Sequence, residues 1–440
     1  MQMRWSMESI IGFGLLACSL AFFITPLARA QAHAPDPVKA MRLPTAPLTP
    51  TGVGRCFRGS PQSRSDFPAA DCTSPQALAV SDKQDGMQAA ERRRFTYARV
   101  GSYPLTDCVR DQSTGLVWEG KNDAGHAPWP ASGTKPYSSY VEKYTVELNS
   151  PKPGKRLNSE AFSYYGDGRP GDAMAYVAEV NRAALCGFDD WRLPTTNELL
   201  SLINYGKRAA EDSRPSAPRL DAQALLDERW FPNTVPGDYV TSEPNNQTRI
   251  WCVSFRTGYT YGCNRLMRGD WVMPLFIRLV RGTEAPEVTA ERFTYLPDEK
   301  GIRDALALDK YTGLTWRRCE EPQTWNGKSC SGNRRLFSYE QALRYAQTQQ
   351  GWRLPDIKEL SSIWHRWFNE SYPIADVFFQ KENERIESHW SASLCGGFEE
   401  NKFAGGWSLG AEGNVYCESF RMREAIRLVR EARTEKEGSK

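Results

Sequence analysis

Apolar positions at helical spacing follow one short motif twice along the chain. Trp191-Arg192-Leu193-Pro194 leads into Thr195-Thr196-Asn197-Glu198, and Leu199, Leu202 and Ile203 then fall on one side of a helix. Trp352-Arg353-Leu354-Pro355 leads into Asp356-Ile357-Lys358-Glu359, with Leu360, Ile363 and Trp364 in the same places. Each proline biases the residue before it towards extended backbone. Thr195 and Asp356 then stand as N-caps, with Glu198 and Glu359 three residues on. That is the spacing of a capping box, which satisfies two backbone donors reciprocally. The pattern predicts a capped amphipathic helix at both sites.

The doubling extends over most of the sequence. The run from Glu91 to Tyr97 matches Glu291 to Tyr295. Asp111 to Trp118 matches Asp309 to Trp316 at an equal step from Phe95 and Phe293. Asp-x-x-Thr-Gly reads as a turn, followed by a short β-prone segment ending in a buried Trp. A second helix is predicted in each copy, capped by Asp172 ahead of Tyr176 and Val180, and by Ser338 with Gln341. Strand patterns follow the Trp-Arg-Leu-Pro helices: Tyr239–Ser242 against His389–Ser393, and Trp251–Phe255 against Trp407–Leu409. Both copies end in apolar–basic alternation, Ile277–Arg281 and Ile426–Arg430, which predicts a half-buried strand.

These landmarks set the expected boundaries. Residues 91–283 form a first domain and 287–432 a second, each folding around its own tryptophan-lined interior. A Pro-rich linker occupies 31–54. A small preamble occupies 55–90, closed by a disulfide or packed on the first domain. Residues 433–440 are a charged tail. The first copy is longer between Trp118 and Trp191, and the excess, about Lys121 to Gly168, is expected as a surface loop. Residues 1–30 read as an export signal: Arg4, an apolar run from Ile10 to Ile24, then Ala28-Arg29-Ala30 as a small-x-small cleavage site. Lipoprotein processing at Cys18 is the rival, since Leu15-Leu16-Ala17-Cys18 resembles a lipobox. No later run is long enough to span a membrane.

Composition changes this picture little. The 440 residues are 40% hydrophobic and 25% charged, as in folded soluble proteins. A net charge of +3 argues against nucleic acid as the natural partner. Fourteen tryptophans suit small aromatic cores or surfaces that stack on ligands. Ten of the eleven cysteines follow the cleavage site, an even number in an oxidising compartment. Comparing the copies suggests their partners. Cys108 and Cys186 occur only in the first copy, and Cys319 and Cys330 only in the second. Cys263 and Cys417 precede the final strands, with Cys252 and Cys395 upstream of each. Cys56 and Cys72 remain as a pair.

Taken together, Asp-x-x-Thr-Gly-Leu-x-Trp, Trp-Arg-Leu-Pro-x-x-x-Glu-Leu, the Trp/Ser-rich stretch and the closing Arg-Leu-Val-Arg resemble the Lcl C-terminal domain family, an exported bacterial module. Both copies carry all four pieces in order. The resemblance implies an α+β chain of two tandem C-type-lectin-like domains, each with two helices and a small antiparallel sheet. It further implies that first and last strands pair, Phe95–Tyr97 with Ile277–Arg281 and Phe293–Tyr295 with Ile426–Arg430. The export signal places the protein in the periplasm, on the outer-membrane surface or outside the cell.

Catalytic signatures are missing: no Gly-x-Ser-x-Gly elbow, P-loop, dinucleotide fingerprint or His-Glu-x-x-His occurs. No cofactor or metal is expected. Glu243-Pro244-Asn245 matches a calcium-binding lectin triplet, but no Trp-Asn-Asp follows, so a loop turn is preferred. Arg249, Trp251, Arg256, Tyr259 and Arg265, with Tyr261 and Arg268, are the candidate ligand-binding cluster. On one face they would suit acidic or sulfated polymers through guanidinium forks and stacking; arginines on solvated strand edges are the plainer reading. Three functions follow from this sequence: an adhesion or binding protein for glycans or envelope partners, a structural subunit of a surface assembly, and an oxidoreductase of the formylglycine-generating kind. The last needs a reactive Cys pair.

Overall fold

The computed structural model describes residues 48–432 apart from 60–68, 89–93, 122–172, 208–222, 247–248, 265–274, 367–376, 379–386 and 397–403. The export signal, most of the Pro-rich stretch, Asp172, nearly all of the long insertion and the tail lie outside the described residues. The chain enters as a hairpin, β1 (Cys56–Phe57) with β2 (Ala69–Ala70), followed by α1 (Pro75–Val80) and α2 (Asp85–Gln88). Ser74 caps α1 by accepting from Ala77 N–H, with Pro75 at the first helical position.

The first repeat supplies β3 (Tyr97–Arg99), β4 (Cys108–Asp111), β5 (Val117–Glu119), α3 (Ala173–Arg182), α4 (Thr196–Leu202), β6 (Asp238–Asn246), β7 (Arg249–Ser254), β8 (Thr260–Asn264), β9 (Leu275–Phe276) and β10 (Val280–Arg281). The second supplies β11 (Phe293–Leu296), β12 (Leu306–Asp309), β13 (Leu314–Arg317), a hairpin of β14 (Thr324–Trp325) and β15 (Cys330–Ser331), α5 (Tyr339–Thr348), α6 (Ile357–Ser362), β16 (His389–Gly396), β17 (Ala404–Leu409), β18 (Val415–Ser419) and β19 (Val429–Glu431). Both build an antiparallel sheet in the same order, β3-β4-β5-β10 and β11-β12-β13-β19. Each adds a second small sheet, β8-β7-β6-β9 or β16-β17-β18.

The expected pairing of first with last strand is not what forms. Val280 lies opposite Trp118 and Val429 opposite Trp316, so the first strand sits at the far edge. The Asp-x-x-Thr-Gly turn is the cause. Asp309 accepts from Tyr311 N–H at 2.9 Å and from Thr312 Oγ at 2.7 Å, and Gly313 takes φ 73°. The turn folds β13 tightly onto β12, and only the outer edge of the tryptophan strand stays open for β19. The closing arginines also differ from expectation. A half-buried strand would leave Arg278 and Arg427 in water, yet both are buried. Arg278 donates to the Glu119 carbonyl at 2.6 Å and Arg427 to that of Arg318 at 2.5 Å, over the rings of Phe231 and Phe378. Each satisfies a backbone acceptor just past the buried tryptophan.

The Trp-Arg-Leu-Pro motif forms the same knot twice. Arg192 grips Glu198 through both oxygens, at 2.8 and 2.6 Å; Arg353 grips Glu359 at 2.6 and 2.8 Å. The same glutamates close capping boxes with Thr195 and Asp356. The proline carbonyls receive Ser242 and Ala392 N–H at 2.7 Å, tying the turn to β6 and β16.

Five bridges join Cys56–Cys72, Cys108–Cys186, Cys252–Cys263, Cys319–Cys330 and Cys395–Cys417. Cys263 and Cys417 do not hold matching places, however. Trp251 lies opposite Gly262, and its counterpart Trp407 opposite Cys417. Cys395 and Cys417 therefore reach over the central strand β17 at Gly405. A Cβ on Gly405 would lie 1.9 Å from the Glu418 carbonyl and 3.3 Å from Cys395 Sγ.

The repeats do not keep separate interiors. A small cluster around Tyr176, Trp191 and Leu279 belongs to the first copy alone. The largest cluster runs without interruption through Trp118, Leu199 and Phe231 into Trp316, Leu360 and Trp390. The two Trp-Arg-Leu-Pro helices do not face their own cores alone; their ends also face each other, and the contacts are reciprocal. Tyr205 donates to the Gly258 carbonyl of its own repeat at 3.1 Å and packs on Trp407 of the other, ring centroids 4.5 Å apart. Its counterpart Arg366 donates to the Gly413 carbonyl at 3.2 Å and lies 5.7 Å over Trp251. Asn197 accepts from Ser361 at 2.8 Å, while its counterpart Lys358 donates to the Ser201 carbonyl at 3.1 Å. This is the arrangement of two subunits about a local two-fold axis.

The segment read as linker and preamble closes this seam. Thr49, Thr51 and Val53 are buried, and Lys358 donates to Thr49 Oγ at 3.0 Å and to the Pro50 carbonyl at 2.8 Å. Asp85 receives both Thr51 and, from the second repeat, Ser393. The preamble docks on α5 of the second repeat rather than on the first domain. Phe57 meets Tyr339 edge-on at 5.4 Å, and Lys83 caps the end of α5 through the carbonyls of Ala346 and Gln349. These last carbonyls of a helix have no partner within it, and a cation there also meets the negative end of the dipole.

Two measurements probe these contacts. Glu359→Ala removes both oxygens of the fork and leaves the buried Arg353 only the largely exposed Glu431, at 3.0 Å, so it should lose about 3 kcal/mol in urea unfolding, whereas replacing Arg353 and Glu359 by Met and Leu should lose far less. A single variant within about 1 kcal/mol of the parent, the range of a solvent-exposed pair, would refute the role given to this fork. Burial pulls the Lys358 ammonium down to about 7 from 10.5, against the pull of Asp356, Asp111 and Asp85. Between those values the unfolded chain binds more protons, so stability should rise with pH across that window. Lys358→Met should flatten that rise; an unchanged slope would assign it to another group.

Candidate functional site

A cavity of about 360 Å³ opens where the two small sheets meet. Ser254, Arg256, Tyr259 and Tyr261 line it from the first repeat, Asn414 and Tyr416 from the second. The strand registers explain the convergence. Thr260 pairs with Val253 on β7, and Val415 pairs with Leu409 on β17 in the corresponding place. These two counterparts touch: Thr260 Oγ accepts from Val415 N–H at 2.7 Å. Tyr261 and Tyr416 are therefore counterparts too, one from each repeat, and the cavity lies on the local axis. Arg256 belongs to the longer turn of the first repeat and breaks the symmetry.

The tyrosines are held at their hydroxyls. Burial and the neighbouring Asp238 carboxylate, which accepts from Tyr261, push the Tyr261 hydroxyl well above its ordinary range. Burial raises Tyr259, while a hydrogen bond from the Cys417 backbone opposes the shift. Tyr416 shares a hydrogen bond of 2.8 Å with Ser388. Ser408, its cross-strand neighbour, donates to Glu424 Oε2 at 2.5 Å. Glu424 is 5% exposed, and burial pushes its carboxyl up to about 8, reinforced by Glu418 and Glu387.

The cluster expected from sequence is divided. Arg256 and Tyr259 reach the cavity, and so does Tyr261. Trp251 is buried under Arg366 in the seam, because β7 is a central strand and its tryptophan faces the other repeat. Arg249 is exposed at the start of β7, paired across to Asn264 at the opposite end of the hairpin from Thr260. Arg265 and Arg268 lie outside the described residues. The four described residues of the cluster thus do not share one face. Asn414 and Tyr416 were missed; the signal for them was the register of the second hairpin, where Tyr416 repeats Tyr261. Glu243 of the Glu-Pro-Asn triplet accepts from Thr196 N–H at 2.6 Å, in the place where Ser393 serves Ile357. Among the described residues no three His, Cys, Asp or Glu side chains are grouped to hold a metal ion. His389 sits beside Glu320 at 3.0 Å, and Glu320 also takes Arg334.

Fold and site together define a mixed α+β protein made from one unit used twice, with its cavity at the join. The chain belongs to the Lcl C-terminal domain family, whose model matches residues 107–281 and again 305–430. Comparison with curated proteins and with solved structures gives no match. Among the described residues no helix is long and apolar enough to cross a membrane. Five disulfides fit maturation in an oxidising compartment.

The buried carboxyl behind Tyr416 carries a prediction. Glu424 in the folded protein keeps a proton that the unfolded chain releases above its ordinary 4.5. Its contribution to stability is full below that value and is lost as pH rises through about 8. Glu424→Gln should flatten the decline between those values in thermal unfolding. A decline of unchanged slope would mean that Glu424 is ionised in the folded state.

Proposed function

We propose that this chain is an exported, non-catalytic binding or adhesion protein with a C-type-lectin-like fold in each repeat, and that it holds a unit of a surface glycan in the cavity between them. The cavity carries this reading. Its volume falls in the ordinary range for small-ligand sites, about 300–1,000 Å³. Tyr259, Tyr261 and Tyr416 supply aromatic faces and hydroxyls for the apolar and polar edges of a sugar ring. Arg256 adds a guanidinium fork for a carboxylate or sulfate. All ten cysteines after Cys18 are joined in bridges, which leaves no thiol pair for chemistry of the formylglycine-generating kind.

A glycan array with the oxidised full chain tests the reading. Arg256→Ala and Tyr416→Ala should each weaken binding by about tenfold or more, the effect of losing a hydrogen bond to a charged or buried group. Arg249→Ala, at the far end of the hairpin, should change little. Binding that survives both cavity variants, or that depends on Arg249 instead, would move the site elsewhere. Retention of envelope proteins with no glycan bound would favour a structural subunit.

A further inference from the structure

The turn that carries Arg256 and Tyr259 to the cavity is held from behind. It closes on itself, Gly258 N–H donating to the Ser254 carbonyl at 2.8 Å and Ser254 N–H to the Tyr259 carbonyl at 2.9 Å. Two further paths attach it to Asn204 and Tyr205. Tyr205 donates its hydroxyl proton to the Gly258 carbonyl at 3.1 Å. Asn204 N–H donates to the Leu225 carbonyl at 2.6 Å, and Leu225 N–H to the Phe255 carbonyl at 2.7 Å. Gly258 takes φ 78°, and a Cβ on it would lie 2.8 Å from the Tyr205 ring and 3.1 Å from that of Trp407.

Residues 204–206 rest in turn on the entering segment. Tyr205 N–H donates to the Thr51 carbonyl at 2.7 Å, and Thr49 Oγ to the Ser201 carbonyl at 2.7 Å. The two backbones cross in contact at a pair of glycines. A Cβ on Gly206 would lie 1.7 Å from the Gly52 carbonyl oxygen, and one on Gly52, at φ 79°, would lie 2.1 Å from Asn204 Oδ1. Only glycines allow so close an approach. We infer that residues 48–54 are part of the binding site although none of them lines it. They set the place of Tyr205, and Tyr205 sets the place of the turn that bears Arg256 and Tyr259. Tyr205 is thus a positioning residue. The inference rests on the cavity as the glycan site and names a further determinant of it.

Ring packing alone would not fix the turn. Trp407 meets the Tyr205 ring at 4.5 Å and the Tyr259 ring at 5.7 Å. Dispersion contacts are individually weak, whereas hydrogen bonds fix distance and angle together. The other turn of the cavity, which carries Asn414, is secured differently. Arg366 holds the Gly413 carbonyl through two nitrogens at 3.2 Å, and its third reaches Asn197 at 2.9 Å. A disturbance at the glycine crossing should therefore reach the first turn and spare the second.

Amide hydrogen exchange of the oxidised full chain, read by NMR without ligand, tests this. Tyr205→Phe keeps the ring and removes the hydroxyl; Gly206→Ala wedges the crossing apart. Each should speed exchange at Ser254 and Gly258 by about three- to tenfold, the effect of losing one ordinary hydrogen bond. Gly413 and the β12–β13 ladder should keep the parent rates. The double variant should show less than the product of the two effects, because both act along one path. Glycan binding should weaken by a similar factor in each single variant, although neither changes a group in the cavity lining. Exchange at Ser254 and Gly258 that keeps the parent rate in either variant would overturn the inference. So would an equal rise at Gly413 and β12–β13, full multiplication in the double variant, or unaltered glycan binding beside a loosened turn. If the parent binds no glycan, the exchange rates still decide whether the entering segment positions the turn, so the two readings fail separately.

Discussion

The fork between an arginine and the glutamate six residues on holds each repeat in shape. In Trp-Arg-Leu-Pro-x-x-x-Glu the glutamate has two tasks. It closes the capping box at the start of α4 or α6, and it neutralises the arginine beside the buried tryptophan, half-buried as Arg192 and buried as Arg353. Neither group suits the interior alone, since an unpaired buried charge is strongly destabilising. Together they fix a sharp entry into a short helix that isolated propensity could not maintain. The proline carbonyl and the bridges Arg192–Val280 and Arg353–Val429 then attach the knot to both sheets of its repeat.

Much of this was legible in the sequence because it is local and occurs twice. The caps at Thr195, Ser338 and Asp356, the Asp-x-x-Thr-Gly turns and the buried tryptophans each follow from a few neighbouring residues. Periodicity could not give the partner of the last strand, because β19 alternates equally well against either edge of the sheet. Nor could it show that Arg278 and Arg427 point inward; an apolar–basic alternation has the same appearance whichever face carries the carbonyl that needs a donor. The cavity was half visible. Arg256 and Tyr259 lie in one turn, but Tyr416 joins them only through the join between repeats, which no local pattern records.

That join is the main departure from a plan of two independent domains. Tyr205 and Arg366, Asn197 and Lys358, and Tyr261 and Tyr416 occupy corresponding places, yet only the last two are the same residue. The seam excludes water with apolar surface from both sides and is closed by residues 48–57. Lys358 satisfies three oxygens there, from the entering segment and from the first repeat. The cavity inherits its mixed lining from this divergence, with Arg256 on one side and Asn414 on the other.

The unequal counterparts also bear on how neighbouring chains avoid one another while folding. A first repeat that met another first repeat would bring Tyr205 to Trp251 and leave Asn197 without Ser361. Two second repeats would put Lys358, which has no carbonyl to accept, where Asn197 receives Ser361. Correct partners are covalently tethered by a few residues, so their local concentration is high. Divergence of the two halves thus disfavours mispairing between neighbouring chains.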